Sequence, residues 1–587
     1  MPPVAAVAVA LIVLQLVVRA VLAFGGYFYW DDLILVGRAG TQGLLSPSYL
    51  FDDHDGHVMP AAFLVAGAIT RLAPLVWTWP ALSLVILQLL VSLSLLRALY
   101  VILGWRPVLL IPLTFALFTP LGVPGFAWWA AALNSLPMLA AMAWVCADAI
   151  LLLRTGNRRY AVTGVLAYFG GLLFFEKAAV IPFVAFAVAA LLWHVRVEPV
   201  RAVWRAGVRL WVPMLALTAA WVAVYLVVVD QQRWSSDLAM TWDLLRRSFT
   251  HGIVPGLVGG PWEWQRWAPA SPWGVPPPSV MVLGWLVLVA VVAVSLARKQ
   301  RIGPVWLAAL GYAVACQIPI YLMRSSKFTA LELAQTLRYF PDLVVVLALL
   351  AAVGFCAPNR VAAQRLDTSR TRTAVTIAAA VAFLASSLYS TSTFLTSWKD
   401  NPAQPYLQNA VRGLAQARAS SSAPLLDQEV DPLVLQRVAY PENLASHMFA
   451  LIRDRPEFAR YTTQLRMLDS SGRLVDANVT WVRTIVVGPK PGCGYFIQPD
   501  AAVRMPLDGP MLPAEWTAEI NYLANSDGSM LMSLSEGPET KVAVHPGLNR
   551  VFVRLSGAGD AITVRAGTTA LSLCVASGPV GYLAPRQ

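Results

Sequence analysis

Long apolar runs separated by short polar connectors make up the first two thirds of the chain. A helix that crosses the hydrocarbon core of a bilayer needs about 20 apolar residues. Eleven runs of roughly this length predict a polytopic α-helical membrane protein region over residues 1–395. The first run lacks a basic segment and a small-residue cleavage site, so we interpret it as a retained helix. The runs lie at about 4–24, 76–102, 107–122, 133–153, 160–175, 177–194, 210–230, 279–297, 303–322, 337–357 and 373–393.

The pattern changes after about residue 395. Residues 396–480 mix helical and extended patterns and predict an α/β subdomain, with helices at 402–418 and 441–455. In residues 481–587, short runs rich in β-branched and aromatic residues alternate with turn residues, which is typical of a β-sandwich. We therefore predict a jelly-roll similar to a carbohydrate-binding module. Its expected strands lie near 481–488, 493–499, 517–524, 529–535, 541–547, 549–557, 561–567 and 570–577.

Composition supports the membrane assignment. Hydrophobic residues make up 57% of the chain, charged residues only 13%, and the mean hydropathy is +0.61. A soluble domain averages about 25% charged residues. These values exclude an ordinary soluble enzyme, a disordered chain and a fibrous protein.

The net charge of +12 indicates topology. Lys and Arg cluster in every second connector, and cytoplasmic connectors carry an excess of these residues. The alternation predicts a multi-pass protein of the cytoplasmic membrane, with a cytoplasmic N-terminus and residues 394–587 outside. The rest of the chain is then close to neutral, so the charge calls for no nucleic-acid partner. The basic connectors contain Arg106; Arg154, Arg158 and Arg159; Arg196, Arg201, Arg205 and Arg209; Arg298, Lys299 and Arg301; and Arg360, Arg365, Arg370 and Arg372.

Two of the five cysteines lie in the β-rich tail. Cys493 is near its start and Cys574 near its end. An extracytoplasmic location permits a disulfide between them, and two separate buried thiols are the alternative. Closing a loop of this length stabilises a fold by about 4 kcal/mol in the chain-entropy model. No Cys or His spacing in the chain is typical of a zinc site.

The first outer loop, residues 25–75, contains the strongest candidate chemistry. Asp31 and Asp32 follow the first helix directly, after the aromatic segment 27–30. Adjacent carboxylates at a membrane interface are costly to desolvate, and their repulsion raises one pKa. A raised pKa suits a general base that accepts a proton from a hydroxyl. A solvated helix cap is the alternative, and the sequence does not choose between the two acids.

A second acidic cluster follows in the same loop. Carboxylates and imidazoles at this density suit contact with an acceptor or a donor, or binding of a divalent cation. The alternative is a polar loop whose acids cap short helices. Its members are Asp52, Asp53, His54, Asp55 and His57.

Charged residues at the outer ends of several helices form a candidate phosphate site. Arginine makes bidentate contacts to phosphate, and lysine acts as a point charge. Snorkelling to the interface is the alternative for each of them. These residues are Lys177, beside Glu176 at a helix junction; Arg338 and Tyr339 at the start of the tenth helix; Arg324 before them; and Arg19 inside the first helix.

Tryptophans crowd the outer loop 231–278. Their faces stack on sugar rings, but tryptophan also anchors membrane interfaces. We expect interfacial anchoring for most of them. The best candidates for a sugar or lipid contact are Trp262, Trp264 and Trp267, together with Glu176.

Taken together, these features resemble the GT-C superfamily of polytopic glycosyltransferases, which use polyprenyl-phosphate sugars outside the cytoplasmic membrane. Actinobacterial arabinosyl- and mannosyltransferases of this type often have a carbohydrate-binding tail, and the Ala-, Val- and Arg-rich composition fits such a source. The matching features are Asp31 and Asp32 after the first helix, a long loop returning through Pro60, Glu176 and Lys177, Arg338 and Tyr339, and the outer C-terminal domain.

The resemblance implies an inverting transferase. The donor is a polyprenyl-phosphate sugar in the outer leaflet, and its phosphate is held by Lys177 and Arg338, with Arg324 or Arg19 as further ligands. Asp31 or Asp32 deprotonates a hydroxyl of a cell-envelope glycan or glycolipid. A non-catalytic transporter of lipid-linked glycans, or an envelope-assembly scaffold with a sugar-binding tail, is the alternative. An acyltransferase is a third reading, which the low His content disfavours.

Overall fold

The computed structural model describes residues 2–229, 237–360, 369–421, 423–499 and 501–586. They form two compact units, one of Met1–Leu35 and Gln42–Asn401, the other of Val36–Thr41 and Pro402–Gln587. The start of the predicted outer loop 231–278 lies outside the described residues. So does most of the last basic connector, including Arg365.

The first unit is almost entirely helical. Two short strands, β1 (Trp264–Gln265) and β2 (Trp273–Gly274), pair in the tryptophan-rich loop. The helices, of which α2 ends in the second unit, are α1 (Pro3–Phe24), α2 (Asp31–Thr41), α3 (Pro47–Leu50), α4 (Pro60–Leu72), α5 (Thr78–Leu103), α6 (Leu110–Phe118), α7 (Val123–Ala127), α8 (Trp129–Thr155), α9 (Arg159–Phe174), α10 (Ile181–Val195), α11 (Arg201–Val228), α12 (Leu238–Arg247), α13 (Val254–Gly256), α14 (Pro278–Arg298), α15 (Gly303–Ala315), α16 (Ile318–Arg324), α17 (Pro341–Cys356) and α18 (Ser369–Lys399).

The protein is a multi-pass membrane protein, as predicted. Among the described residues, eight helical segments are long and apolar enough to cross a membrane, and a bent pair makes a ninth. All eleven predicted runs coincide with helices, and the two beyond these nine are the shorter α9 and α17. The segments are Pro3–Phe24, Thr78–Leu103, Trp129–Thr155, Glu176–Val195, Arg201–Val228, Pro278–Arg298, Gly303–Arg324 and Ala374–Ser420, and the bent pair is Pro107–Phe118 with Pro120–Ala127.

Two departures from the predicted helices have local causes. The third run bends by 45° between its halves, because Pro120 and Pro124 remove backbone donors and clash with a continuing helix. The run predicted at 210–230 starts earlier, since α11 begins at Arg201 within the basic connector and continues to Val228.

Buried ion pairs tie the central helices together. Asp148 of α8 is fully buried and pairs with Arg97 of α5. Lys177 lies in the 3₁₀ turn that leads into α10, and its ammonium contacts Asp342 of α17 at 2.9 Å. Tyr312 of α15 donates to the same carboxylate at 2.7 Å. Such pairs are rare in membrane helices and almost always face the protein interior.

The second unit is rich in strands, as predicted. The expected helix at 402–418 is α19 (Ala403–Ser420), whereas 441–455 contains only the single turn α20 (Ala445–Met448). The strands are β3 (Leu425–Leu426), β4 (Phe458–Ala459), β5 (Tyr461–Thr462), β6 (Arg466–Leu468), β7 (Leu474–Val479), β8 (Arg483–Thr484), β9 (Tyr495–Ile497), β10 (Val503–Ala524), β11 (Gly528–Glu536), β12 (Thr540–Val544), β13 (Gly547–Ala566), β14 (Leu573–Val575), β15 (Pro579–Gly581) and β16 (Leu583–Pro585).

One antiparallel sheet dominates this unit. Its main path runs β12-β11-β13-β10-β14-β9, and β10 and β13 pair over most of their length. The predicted strands 549–557 and 561–567 are the two halves of β13. Between them Gly557 and Gly559 adopt φ values of +124° and +118°, which only glycine reaches easily. Both halves of β13 contribute to one buried core; the jelly-roll assignment remains a prediction.

The predicted disulfide is confirmed. Cys493 and Cys574 are bonded, with their Cα atoms 4.7 Å apart. Cys574 lies in β14 opposite Phe496 of β9. The bridge therefore fastens the segment before β9 to the last strands of the sheet.

Candidate active site

The two acids that open α2 have different surroundings. Asp32 is 0% exposed, and its two carboxylate oxygens accept the backbone N–H groups of Tyr29 at 2.9 Å and Ala130 at 2.8 Å. Asp31 is only partly buried and, within the described chain, makes no hydrogen bond or ion pair. The Asp32 carboxylate is thus occupied by the backbone, while the Asp31 carboxylate remains able to accept a proton.

Burial controls the protonation of this pair. It raises the pKa of Asp31 to about 6, against an opposing effect from the guanidinium of Arg338. The pKa of Asp32 is raised well above its ordinary range by burial, although its two backbone hydrogen bonds act in the opposite direction. A carboxylate whose pKa is near 6 is mostly ionised at neutral pH and suits a general base.

Arg338 supplies positive charge to the site. Its guanidinium donates to the Tyr339 hydroxyl at 2.7 Å and lies 5.0 Å from the centre of the Trp128 ring. Among the described residues it forms no ion pair within 4 Å, so an anionic ligand can take that place. An arginine on an aromatic face is held in orientation without its charge being neutralised.

The backbone is strained directly before both charged residues. Trp30, which precedes Asp31, has φ +44°, and Leu337, which precedes Arg338, has φ +55°. Non-glycine residues seldom adopt such angles. Strain of this kind costs about 1–3 kcal/mol per residue and is concentrated at functional sites.

The second acidic cluster contacts other parts of the same unit. Asp55 forms an ion pair with Arg324 at 3.1 Å, and His57 Nδ1 lies 2.7 Å from Glu176 Oε1. Asp53 accepts the N–H of Gly56 at 2.7 Å. Burial opposes protonation of His57, but the Glu176 carboxylate outweighs this effect and raises the pKa of the imidazole.

The cluster does not assemble into a metal site among the described residues. In the part of the chain that the structure describes, no three His, Cys, Asp or Glu side chains converge on a point where an ion could bind. His54 packs its ring against Phe63, while Asp55 and His57 are directed to Arg324 and Glu176. Asp52, another member of the predicted cluster, also has an interaction partner within the protein. In the described structure, the side chains of this cluster therefore do not form a set of ligands for a divalent cation.

Two of the predicted phosphate ligands, Lys177 and Arg19, contact other side chains. The ammonium of Lys177 already contacts the Asp342 carboxylate. Arg19 is only 4% exposed within α1, and its guanidinium packs against the Phe126 ring with 4.9 Å to the centroid. Arg324 lies in the electrostatic field of Asp31 and remains a candidate ligand.

The predicted tryptophan cluster packs mainly against α18. The Trp262 indole donates to Ser386 at 2.7 Å, and the Trp264 indole donates to the Ser390 carbonyl at 3.0 Å. Trp267 is 69% exposed and packs edge-on against Trp273. Trp267 is thus the member of the cluster most available to a sugar or lipid.

Sequence reasoning missed the aromatic wall of the site. Tyr29 lies between Trp128 and Trp398, with ring centroids 4.9 Å and 5.3 Å away, and Arg266 lies 5.5 Å from the Tyr29 ring centre. Burial raises the Tyr29 pKa to about 12. The aromatic run before Asp31 was the sequence feature that could have indicated this wall. Trp128 and Trp398, which pack against Tyr29, are distant in sequence.

The likenesses to known proteins are structural. No protein-family model matches the chain, and no curated protein matches it in sequence. ArnT from Cupriavidus metallidurans, solved with undecaprenyl phosphate, is 15% identical over 76% of this chain and 85% of its own, with a TM-score of 0.41. The mycobacterial arabinofuranosyltransferase AftD is 14% identical over 97% of this chain, at a TM-score of 0.35.

A third solved structure is the arabinosyltransferase EmbB from Mycobacterium smegmatis. It is 12% identical over 98% of this chain, at a TM-score of 0.33. The present chain covers 61% of AftD and 64% of EmbB.

Proposed function

We propose that this protein is an inverting glycosyltransferase. It takes a sugar from a polyprenyl phosphate in the outer leaflet of the cytoplasmic membrane and attaches it to a hydroxyl of a cell-envelope glycan or glycolipid. The supporting observation is the difference in hydrogen bonding between the carboxylates of Asp31 and Asp32. One carboxylate has a pKa near 6 and no hydrogen-bond partner in the described chain, while its neighbour is fixed by two backbone donors.

Asp31 is the general base in this proposal. Its carboxylate accepts the proton of the acceptor hydroxyl as the oxygen attacks the anomeric carbon. The new C–O bond forms as the bond from that carbon to the phosphate oxygen breaks, so the configuration inverts. The bonding electrons leave with the phosphate, and the products are the glycoside and polyprenyl phosphate.

Arg338 holds the donor phosphate and stabilises the charge that develops on it. Its guanidinium has no acidic partner among the described residues and is already oriented by Trp128 and Tyr339. Preorganised cations of this kind stabilise a leaving group more strongly than cations that must move into place. Arg324, paired with exposed Asp55, supplies a second positive charge nearby.

His57 and Glu176 position the loop. Their 2.7 Å contact joins loop 52–57 to the start of the α10 segment, and the Tyr225 hydroxyl donates to the Gly56 carbonyl at 3.0 Å. These contacts fix the position of loop 52–57. The proposed topology has a cytoplasmic N-terminus and an extracytoplasmic tail that binds the growing glycan.

The test is transfer by the purified full-length chain in lipid nanodiscs. The donors are polyprenyl-phosphoryl arabinofuranose and polyprenyl-phosphoryl mannose, and the acceptors are short synthetic envelope oligosaccharides. Release of polyprenyl phosphate and extension of the acceptor are followed together. Asp31→Asn should lower the rate at least 100-fold, the range expected for loss of a general base.

Asp53→Asn is the matched control. It removes one carboxylate from the same loop, and its amide oxygen can still accept the Gly56 N–H. It should retain near-native transfer. Full activity of Asp31→Asn would refute the base assignment. Donor binding without transfer by the native protein would favour the scaffold alternative.

A further inference from the structure

An uncompensated arginine lies in the first membrane helix. Arg19 is 4% exposed, and its Nη1 has no hydrogen-bond partner among the described residues. No ion pair of the described chain includes it. A buried cation in a membrane region is costly and is normally paired.

A second buried donor lies one turn earlier on the same helix. Gln15 is 1% exposed, and its Nε2 likewise has no partner within the described chain. Its amide oxygen is occupied, because it accepts from the Ser92 hydroxyl at 3.0 Å. Ser92 in turn accepts from Gln88 at 3.4 Å and shares its proton with the Gln88 carbonyl. This chain of hydrogen bonds leaves the NH₂ group of Gln15 as the unused end.

Arg19 faces two adjacent small cavities, and Gln15 lines one of them. The larger, of about 40 Å³, is formed by residues of α1, α5, α6, α7, α8 and α17. That volume suits a few water molecules or one small ion, whereas the smaller cavity, which Gln15 lines, has only about 10 Å³. Neither cavity has an acidic residue in its lining. The lining is mainly apolar, and its polar members are Arg19, Gln88, Ser92 and Ser135 in the larger cavity and Gln15, Arg19 and Thr391 in the smaller.

We propose that Arg19 binds a chloride ion in the larger cavity, between these helices. The Arg19 guanidinium offers only donors to this cavity, so the ligand must be an acceptor. One guanidinium balances one negative charge, which favours a monovalent ion over sulfate or phosphate. The branched apolar side chains around the cavity leave little room for a lipid headgroup with its chain.

The proposed ion lies where several helices of the membrane region meet. Asp31 follows α1, Ala130 lies in α8, and Arg338 precedes α17, so three helices that carry the candidate active site meet at this cavity. Chloride would satisfy donors from α1 and hold these helices in register. The protein should therefore be more stable when chloride is present.

Thermal unfolding of the full-length chain in lipid nanodiscs tests the proposal. The protein is transferred to sodium gluconate, and chloride replaces gluconate at constant ionic strength. The melting temperature should rise with chloride and saturate, as expected for a ligand that binds only the native state. Bromide should act in the same way and give anomalous scattering beside Arg19 in a crystal.

Two variants should abolish the chloride response. Arg19→Gln removes the charge, and Gln15→Glu supplies an internal carboxylate, so the second variant can fold even if the first cannot. Arg97→Gln is the control, because Arg97 is an arginine of a neighbouring helix that pairs with Asp148. It should melt at a lower temperature and keep the full chloride response.

An equal melting temperature of the native protein in chloride and gluconate would overturn the proposal. So would an unchanged response in Gln15→Glu, or stabilisation by added polyprenyl phosphate and not by chloride. The readout is stability, so failure of the proposed transferase activity would leave this result untouched.

Discussion

The Asp32 carboxylate accepts the backbone N–H of Ala130 at 2.8 Å and thereby caps a helix that begins 97 residues further along the chain. Ala130 lies in the first turn of α8, where backbone N–H groups have no partner within the helix. A negative charge is also favoured at this end of a helix dipole. Asp32 therefore joins the start of α2 to the start of α8.

Loss of this cap should destabilise the protein. Asp32→Ala leaves the N–H groups of Tyr29 and Ala130 buried without a partner, at a cost of about 1–3 kcal/mol each. Asp32→Asn should cost less, since its amide oxygen can still accept one of them. Thermal unfolding compares the two variants. Equal melting temperatures for Asp32→Ala and the native protein would contradict the structural role.

Asp31→Asn should have the opposite effect on stability. Because the folded-state pKa of Asp31, about 6, lies above its ordinary value of 3.8, ionisation of this group opposes folding. The stabilisation present below pH 4 is lost as the pH rises towards 6. The neutral variant should therefore melt at the same or a higher temperature at pH 7, while transfer is lost. A lower melting temperature would assign Asp31 a structural role instead.

Transfer should depend on pH through Asp31. The base acts in its ionised form, so kcat/KM should fall about tenfold per pH unit below about 6 and level off above it. A pH–rate profile from 4.5 to 8 measures this. Asp53→Asn should give the same inflection, whereas an inflection near pH 4 would show that the base is a solvent-exposed carboxylate.

Arg338→Gln should impair both donor binding and chemistry. The guanidinium lowers the pKa of Asp31, so its loss should also move the inflection of the pH–rate profile upward. Steady-state kinetics at several donor concentrations separate the two effects. Arg338→Lys keeps the charge and should recover part of the activity, although it loses the planar contact with Trp128. An unchanged inflection in Arg338→Gln would refute the electrostatic coupling.

Variants of the Lys177–Asp342 pair distinguish a structural role of Lys177 from binding of the donor phosphate. If Lys177 is structural, Lys177→Met leaves Asp342 uncompensated and destabilises the protein by about 3–5 kcal/mol. The double variant Lys177→Met with Asp342→Leu should recover much of that stability and keep the donor KM. If Lys177 binds the donor phosphate, the double variant should fold but show a raised KM.

Helix positions were predictable from sequence, because the length of an apolar run is a local property. The different surroundings of Asp31 and Asp32 were not, since they depend on Ala130 and Arg338, both far along the chain, as well as on Tyr29. The contact of Lys177 with Asp342 was not predictable for the same reason, because Asp342 lies in another helix. The turn glycines at 557 and 559 suggested two strands, while the structure bends one strand there.

The left-handed backbone at Trp30 and Leu337 restricts which sequence changes the protein can accept around Asp31 and Arg338. A residue in that conformation interrupts helical propagation, so neither helix can lengthen backwards past its charged residue without turning that side chain away. Glycine at either position would relieve the backbone strain and allow the following side chain, Asp31 or Arg338, to adopt other directions. In the proposed function, changes in the surrounding loops can therefore alter substrate preference, while the backbone at Trp30 and Leu337 keeps the direction of Asp31 and Arg338.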